Sequence, residues 1–410
     1  MFDWLLADNR YMSLVGIIAI LGFAFLFSSN RRAIKPRLIV NALIMQCLLA
    51  LFIIKTTVGH AIFSSISREV EALYHFADQG CSFVFGRLAD TSGPWGFVFA
   101  IKALPVIIFF GALMSVLFHF GIVQIIMRGM AFVIKPILGT SGAETLSVAA
   151  NSMIGATEAP LLIKHYLPRM TRSEMTTIMV SGMAHLTGSL LAVYGMMGVP
   201  IVHLLSASIM AIPGAILISK MLTPETEIPE TLGGQPLKME RQTKNVLDAI
   251  SSGTTDGLSL AVNVAAMLIA FISLMALVDA TLVWSTGLVL TQGIGLNDIF
   301  GTLFYGVAFL IGIPMADCSS AGILLGQKLV INEFVAYSSM IKMALSERAV
   351  IILTYALAGF SNFSVIGIQI GGIGAICPEK RSMLISLGMR ALLGGTLANL
   401  LNASIAGLFV

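Results

Sequence analysis

The chain has 410 residues, of which 57% are hydrophobic and only 11% are charged, and its formal net charge is +3. Soluble domains carry roughly 25% charged residues, so this composition excludes an ordinary soluble protein and predicts a polytopic membrane protein. At about 20 residues per span, the length suffices for about eight to ten spans. The positive charges are few and scattered, which argues against nucleic acid as a partner.

The first part of the chain is predicted to contain three spans and one surface helix. Apolar runs predict the spans at 12–28, 38–54 and 97–120. The loop after the first run is basic and is therefore expected in the cytoplasm, because it carries Arg31, Arg32, Lys35 and Arg37. Segment 60–93 is amphipathic and mixed in charge, which is typical of a helix that lies on the membrane surface.

After residue 129 the apolar runs are interrupted. Segment 137–168 is too polar for one span and too apolar for a loop. Segment 175–197 is a span with a Gly/Ser/Thr/His break in its middle, and segment 201–219 is an uninterrupted span. A polar stretch follows, with several residues that interrupt helices, namely Pro224, Pro229, Gly233, Gly234 and Pro236.

The second half repeats this order. A span at 258–280 precedes three further apolar segments: 299–345, interrupted at Asn332-Glu333; 349–376, broken at 359–364; and 384–410. Glu158 lies 27 residues before the break at His185, and Glu333 lies 29 residues before the break at Asn362. This near-equality predicts two copies of one unit, made of a re-entrant hairpin, a broken helix and an intact helix.

The fold class that follows is an all-α polytopic membrane protein. We expect about eight transmembrane helices, two re-entrant hairpins and two broken helices, arranged as inverted repeats. The expected divisions are N-terminal helices with an interfacial helix (1–94), a scaffold span (95–128), a first repeat (129–219), a polar linker (220–256), a second scaffold span (257–298) and a second repeat (299–410).

Two acids lie in the polar interruptions. Glu158 and Glu333 are each flanked by long apolar runs, and a carboxylate costs several kcal/mol at the centre of a bilayer, so an acid retained there indicates function. Unwound backbone is tolerated in a membrane only where it is buried in protein or lines a wet cavity. Helix N-termini favour anions and C-terminal carbonyls favour cations. The interruptions therefore predict a site for a polar solute and an ion, with Lys328 as a candidate to neutralise Glu333 or Asp317.

The strings around these residues carry a family resemblance. GATEAPL at 155–161, NEFVAY at 332–337 and GFSNFS at 359–364 occur in order, and over most of 95–410 the chain resembles the concentrative nucleoside transporter family. The resemblance implies a secondary active transporter, and not an enzyme, that takes up nucleosides with a cation gradient by an elevator-like movement. It also implies a multi-pass homotrimer in the lipid bilayer of the cell (inner) membrane, with one substrate site in each protomer.

The resemblance also implies a set of substrate-binding positions, which are Thr157, Glu158, Leu190, Glu333, Phe360, Asn362 and Ser364. Thr157 and Glu158 would bond the nucleobase, and Leu190 would pack against it. Glu333 and Asn362 would hold the ribose hydroxyls, because a carboxylate accepts two hydroxyl donors in strong, directional bonds.

The chain departs from the family pattern at two of these places. Ala156 stands where the family usually has Gln, and Val365 stands where Ser is common, so that Ser364 is the candidate to supply the missing hydroxyl. Phe360 is open to two interpretations, an apolar wall for the ligand or ordinary helix packing. These departures leave the preference among nucleosides open.

The implied ion site consists of the Asn151 side chain, backbone carbonyls of Ile154 and Leu186, and His185 where sodium-coupled members have Ser. Sodium prefers oxygen ligands, as other hard cations do, whereas histidine titrates near neutral pH and can carry a proton. Coupling to H+, or to Na+ with Thr187 or Ser189 supplying an oxygen, are both left open. Apart from this ion, no cofactor is expected.

Two other functions compete with transport. Gly139-Thr140-Ser141-Gly142 fits the GxSG string of rhomboid-type intramembrane serine hydrolases, and His185 is available as a base. A passive channel is the second alternative, because acids at hairpin tips are able to form a selectivity ring. Neither accounts for the duplicated layout as well as alternating access does.

Overall fold

The structure, a computed structural model, describes residues 9–96, 98–232, 243–289 and 293–410. These ranges are nearly all helical, and no β-strand occurs in them. Six helices within the described ranges are long and apolar enough to cross a membrane: Pro36–Lys55, Phe99–His119, Arg172–Met196, Ile201–Leu222, Val246–Gly287 and Pro378–Phe409. Two shorter apolar helices are Arg10–Leu26 and Phe363–Ile376. The described chain is therefore that of a multi-pass membrane protein.

The N-terminal part contains five helices: α1 (Arg10–Leu26), α2 (Pro36–Ala50, extended to Lys55 by a π-helical turn), α3 (Thr57–Phe85), α4 (Phe99–His119) and α5 (Ile122–Leu138). The hydroxyl of Thr56 begins α3, because it accepts a hydrogen bond from the Gly59 backbone N–H at 3.0 Å. Gly121 separates α4 from α5 with φ of 82°, a conformation that glycine adopts without strain.

The middle of the chain contains the first hairpin and the first broken helix. Its helices are α6 (Gly142–Asn151), α7 (Arg172–Ala184), α8 (Gly188–Met196) and α9 (Ile201–Leu222). A turn over 152–158 follows α6, and the returning segment Ala159–Ile163 is a 3₁₀ helix that packs back on α6. Pro160 favours the first turn of such a helix because its fixed φ suits that position.

The last part begins with a long helix and ends with the second hairpin and the second broken helix. Its helices are α10 (Val246–Gly287), α11 (Leu296–Leu303), α12 (Tyr305–Leu310), α13 (Cys318–Val330), α14 (Glu333–Met340), α15 (Glu347–Leu357), α16 (Phe363–Ile376) and α17 (Arg381–Phe409). Asn332 caps α14 and Asn362 caps α16, each through its side-chain oxygen.

The main interruptions lie where the sequence placed them. The span at 175–197 is broken at 185–187, the segment at 349–376 is broken at 358–362, and the long segment at 299–345 is interrupted at Ile331 and Asn332. These breaks follow from local Gly, Ser, Thr and Asn residues, which favour caps and turns over helix interiors. The helix expected in 60–93 is present as α3, which begins earlier and ends at Phe85, and its position on the membrane surface stays a prediction.

Other expectations about helix bounds differ from the structure. Residues 246–256 of the expected polar linker belong to α10, because the Asn245 side chain caps the helix there and polar residues continue on its exposed side. The boundary expected between residues 128 and 129 lies inside α5, a helix that was not predicted. A further break near Gly312, where φ is 91°, was not predicted either. Gly233, Gly234 and Pro236 of the linker lie outside the described residues.

A seam of glycines joins α10 to α4, its main partner. A Cβ added at Gly257 would lie 2.8 Å from the Ile108 Cα, and one added at Gly111 would lie 2.7 Å from the Gly253 carbonyl oxygen. Small residues let two membrane helices approach this closely, and packing then holds them together without help from water. On its other sides α10 is exposed, since only 11% of its apolar window is buried.

We predict that Gly257→Ala destabilises the protein, because the new methyl group meets backbone atoms that have no room to move. Overpacking of this kind typically costs about 1–3 kcal/mol. The matched control is Gly129→Ala in α5, where an added Cβ meets nothing within 4 Å and the change should be neutral or stabilising. Thermal unfolding of the purified protein in detergent measures both, and an unchanged Tm in the Gly257 variant would contradict the seam.

Candidate functional site

The two broken helices are packed on one common helix. α17 contacts α7, α15 and α16, and it is largely buried along its length. Glycines allow this approach: a Cβ added at Gly394 would lie 2.5 Å from Val180 of α7, and one at Gly395 would lie 2.6 Å from Met183. The two breaks are therefore held against the same rigid element.

Glu333 lies at the second break, at the first position of α14. Its side chain is buried, with 5% exposure. Oε1 accepts from the Tyr194 hydroxyl at 2.8 Å, and Oε2 accepts from Nδ2 of Asn362 at 3.4 Å. The N-terminus of a helix stabilises a carboxylate placed there, so the fold holds Glu333 with two donors and one helix end.

Asn362 joins this carboxylate to the second broken helix. Its Oδ1 accepts from the Val365 N–H at 3.2 Å, which caps α16, and from the Ser364 hydroxyl at 2.6 Å. Because the oxygen is committed to the cap, the amide nitrogen points to Glu333. Ser364 and Phe360 are both half-buried next to this group. The structure thus brings together Glu333, Asn362 and Ser364, three of the predicted substrate residues.

The first tip carries Thr157 and Glu158. The Gly155 N–H donates to Oε2 of Glu158, and a Cβ at Gly155 would collide with the same oxygen. Thr157 is half-buried, and its Cγ2 lies 2.9 Å from where a Cβ at Gly372 of α16 would be. Glu158 is exposed. The first tip therefore packs against the helix that begins at the second break.

Leu190, the remaining predicted contact of the base, is buried in the first turn of α8. Its backbone N–H donates to the Thr187 hydroxyl at 3.3 Å, which caps α8. The Gly188 N–H donates to the Met153 carbonyl oxygen at 3.2 Å, so the first break is also bonded to the first tip.

A second polar group lies between α6 and the first break. Asn151 Nδ2 donates to the Ser181 hydroxyl at 3.0 Å, and His185 Nδ1 lies 2.8 Å from the Ser181 carbonyl oxygen. Since a carbonyl only accepts, Nδ1 carries the hydrogen and Nε2 presents a lone pair. Both Asn151 and His185 are buried, with 2% exposure each.

This group has unused acceptors. Asn151 Oδ1 and His185 Nε2 are buried and lack a hydrogen-bond partner among the described residues. Buried polar atoms are normally paired, and each exception calls for an explanation. Two acceptors with no donor are suited to a cation or to a proton. Leu186, predicted to offer a carbonyl, is buried in the break, and Ile154 is half-buried in the turn after α6.

Two other predictions for single residues change with the structure. Lys328 was a candidate to neutralise Glu333, but its Nζ donates to the Ala356 carbonyl oxygen at 2.7 Å and to Asn399 Oδ1 at 2.8 Å. Ser141, the nucleophile of the hydrolase alternative, caps α6 and donates to Glu174 at 2.5 Å. His185 is bonded to Ser181 instead, so the Ser–His pair that the hydrolase alternative requires does not form.

Sequence reasoning missed several partners at the site. Tyr194, Ser181 and Asn399 all contact predicted site residues or their neighbours. Asn399 lies in the apolar run 384–410, where an amide is itself a sign of function in a membrane. A cavity of about 170 Å³ lies at the other end of α6, with Lys35, Lys220 and Glu144 among its lining residues. It contains none of the predicted site residues.

Three family profiles match the chain in order. They are described as Na+ dependent nucleoside transporter N-terminus (residues 15–88), nucleoside recognition gate (100–200) and Na+ dependent nucleoside transporter C-terminus (203–407). The chain is 42% identical over 406 residues to an uncharacterized transporter of Haemophilus influenzae, covering 97% of each. It is 37% identical over 413 residues to nucleoside permease NupC of Helicobacter pylori, covering 98% of each.

The fold agrees with these matches. The structure superposes on CNTnw, solved in an inward-facing substrate-bound state, with a TM-score of 0.91 at 37% identity, covering 97% of each chain. The fold and the matches are those of a membrane transporter. It belongs to the concentrative nucleoside transporter family, which confirms the resemblance carried by its motifs and the prediction that it is not an enzyme.

We predict that Tyr194→Phe weakens nucleoside binding about tenfold, because hydrogen bonds to charged groups contribute roughly 1.5–3 kcal/mol and Glu333 loses its shorter one. The control is Tyr337→Phe. Tyr337 is equally buried and stacks on Tyr194 at 4.6 Å, but its hydroxyl donates to the Thr354 carbonyl oxygen. Calorimetric titration of uridine measures both, and equal losses in the two variants would rule out a specific role for Tyr194.

Proposed function

We propose that the protein is a secondary active symporter that carries nucleosides into the cell, driven by a Na+ gradient. The observation that carries this proposal is the contact between Glu333 on the second tip and Asn362 at the second break. It places a carboxylate and an amide side by side on two different interrupted elements. Broken helices in paired positions are typical of transporters whose substrate binds near the middle of the membrane.

The sugar end of the substrate is assigned to this pair. A carboxylate accepts two hydroxyl donors at once, and the vicinal hydroxyls of ribose are such donors. Ser364 and the Asn362 amide lie next to it and supply further polar contacts. A buried carboxylate whose oxygens lack hydrogen-bond donors is costly, so solutes that lack these hydroxyls should be rejected.

The base end is assigned to the first tip and the first break. Thr157 and Glu158 provide polar contacts, Leu190 an apolar one, and Phe360 an apolar wall. Only glycine fits at position 182 beside Ala156, because a Cβ added there would lie 2.8 Å from the Ala156 Cβ and 2.4 Å from Nε2 of Gln369. With Ala156 in place of a longer amide, the base has fewer direct hydrogen bonds and the site should accept several bases.

Na+ is assigned to Asn151 and to the backbone carbonyls of Ile154 and Leu186. The unpaired Asn151 Oδ1 is an oxygen acceptor of the kind that hard cations prefer, and the family to which the chain belongs is described as Na+ dependent. A second candidate is H+, and it rests on one observation. The unpaired, buried Nε2 of His185 is a lone pair able to take a proton.

The transport movement is proposed to be of the elevator type. The moving body would consist of the two broken helices and two hairpins, each of which enters and leaves the membrane on one side. The whole protein would have about eight transmembrane helices. The fixed scaffold would include α4 and α10. We place the protein in the cell (inner) membrane and propose a homotrimer, in which neighbouring protomers and lipid cover exposed apolar residues of α10 such as Val262, Ile269 and Trp284.

We predict that Glu333→Gln abolishes nucleoside accumulation and that Glu158→Gln reduces it, because an amide offers one acceptor oxygen where the carboxylate offers two. At Glu333 the new NH₂ group would also face the Asn362 amide. The control is Glu379→Gln, an exposed acid in the turn before α17. Uptake of radiolabelled uridine and adenosine by proteoliposomes is the measurement, and undiminished uptake in both site variants would disprove the proposed site.

We predict that a Na+ gradient at equal pH drives uridine accumulation, and that Asn151→Ala removes the Na+ dependence. The control is Ser147→Ala, one turn earlier on α6, which also removes a buried side-chain oxygen without a partner. A pH gradient without Na+ should drive no uptake. If it does, and His185→Ser removes that uptake, the coupling ion is H+ and the assignment of Na+ is wrong.

A further inference from the structure

The side chain of Asn399 on α17 lies between the two helix breaks. Its Nδ2 donates to the carbonyl oxygens of Ala184 and Ala358, both at 2.8 Å. Its Oδ1 accepts from Lys328 Nζ at 2.8 Å and from the Ser361 hydroxyl at 3.2 Å. An amide has two donors and two acceptor lone pairs, so this fully buried side chain uses every bond it is able to make.

The atoms that Asn399 contacts belong to both halves of the proposed site. Ala184 is the last residue of α7, and the next residue is His185 of the candidate cation site. Ala358 follows α15 and lies in the second break. That break ends at Asn362, whose amide donates to Glu333. One side chain thus bonds the backbone beside the cation site and the backbone beside the sugar site.

Lys328 extends this bridge to the second hairpin. It lies in the last turn of α13, shortly before Glu333, and its Nζ bonds the Ala356 carbonyl oxygen as well as Asn399. A buried cation is favoured at the C-terminal end of a helix, where the carbonyls of α15 point. The hairpin that carries Glu333 is therefore bonded to the same amide as the two breaks.

Glycine makes the bridge possible. A Cβ added at Gly359 would lie 2.5 Å from Asn399 Oδ1 and 2.8 Å from the Ala184 carbonyl oxygen. No other residue fits between the two breaks without moving one of them. A single amide group therefore bridges the two breaks by hydrogen bonds.

We propose that Asn399 is the positioning residue that couples cation binding to nucleoside binding. A cation that orders the peptide after Ala184 also orders, through Asn399, the segment before Asn362. The nucleoside then meets Glu333 and Asn362 already in place, and it binds more tightly because less ordering remains to be done. The same coupling must hold in reverse, since the nucleoside raises the affinity for the cation by an equal factor.

The role of Asn399 rests on the cation coupling proposed above, and the test separates the two. The variant is Asn399→Asp, which keeps an oxygen for Lys328 and Ser361 but has no N–H for Ala184 and Ala358. The matched control is Asn402→Asp, on the same helix. Asn402 is also buried, and its Oδ1 accepts from Gln46 of α2, away from both breaks.

The readout is the ratio of uridine Kd values without and with cation, measured by calorimetry on the purified full chain in detergent. Na+ against N-methylglucamine at pH 7.5, and pH 6 against pH 7.5 without Na+, cover both candidate ions. Couplings between sites are typically about 5–150-fold. We expect such a ratio in the wild type and in Asn402→Asp, and a ratio near one in Asn399→Asp, whose binding without cation is retained.

A wild type with no cation effect under either pair of conditions would overturn both the proposed coupling and the role of Asn399. A normal wild-type ratio that persists in Asn399→Asp would overturn the role of Asn399 alone. If Asn399→Asp does not yield monodisperse protein, Asn399→Ser replaces it. That variant also lacks the amide N–H groups that reach Ala184 and Ala358 but adds no buried charge, and a ratio equal to the wild-type ratio would likewise overturn the inference.

Discussion

Two interrupted helices leave backbone N–H and C=O groups in an apolar interior, and the structure is arranged around the need to pair them. An unpaired buried polar group costs about 1–3 kcal/mol, and a membrane offers no water to supply the missing bond. The broken ends of α7 and α15 point their carbonyls at Asn399 and Lys328. The beginnings of α8 and α16 are capped by Thr187 and Asn362. These side chains thus pair backbone groups that the breaks would otherwise leave buried without a partner.

The same side chains give the site its chemistry. Asn362 caps a helix with its oxygen and reaches Glu333 with its nitrogen. Ser181 accepts from Asn151 through its hydroxyl and from His185 through its carbonyl. Asn151 Oδ1 and His185 Nε2 remain unpaired after these bonds. In the proposed function, binding of a cation and a polyhydroxylated solute would complete the hydrogen bonds that these side chains leave open.

The parts of this arrangement that are local in sequence were predictable. Clusters of Gly, Ser, Thr, His and Asn within apolar runs indicated both breaks and both tips, and the role of the acids in substrate binding stays a prediction. The partners from distant segments were not predictable, because Tyr194 and Asn399 lie in runs whose apolar pattern says only that they belong to spans. The hydrogen-bond partners of Lys328 were not predictable for the same reason. They lie at the end of α15 and on α17, far from Lys328 in sequence.

Single glycines also decided where helices end in ways that hydropathy does not show. Gly121 and Gly312 adopt φ values of 82° and 91°, and they divide apolar stretches that appear continuous by composition. The assignments of substrate and ion residues carried over from the family remain predictions, because bound groups decide them and the fold alone does not. The geometry adds that Glu333, Asn362 and Ser364 are in contact, and that Asn151 and His185 share one partner.

The close fit of α10 to α4 has a practical consequence. A long helix that packs along a glycine seam and is otherwise exposed should be rigid, and it is separate from the elements that are proposed to carry the substrate. Spin or fluorescent labels on its exposed side, for instance at Leu274, would provide a fixed reference position for distance measurements. Distances from that reference to labels on the tips would then show directly whether the tips move as one body, as the proposed elevator mechanism requires.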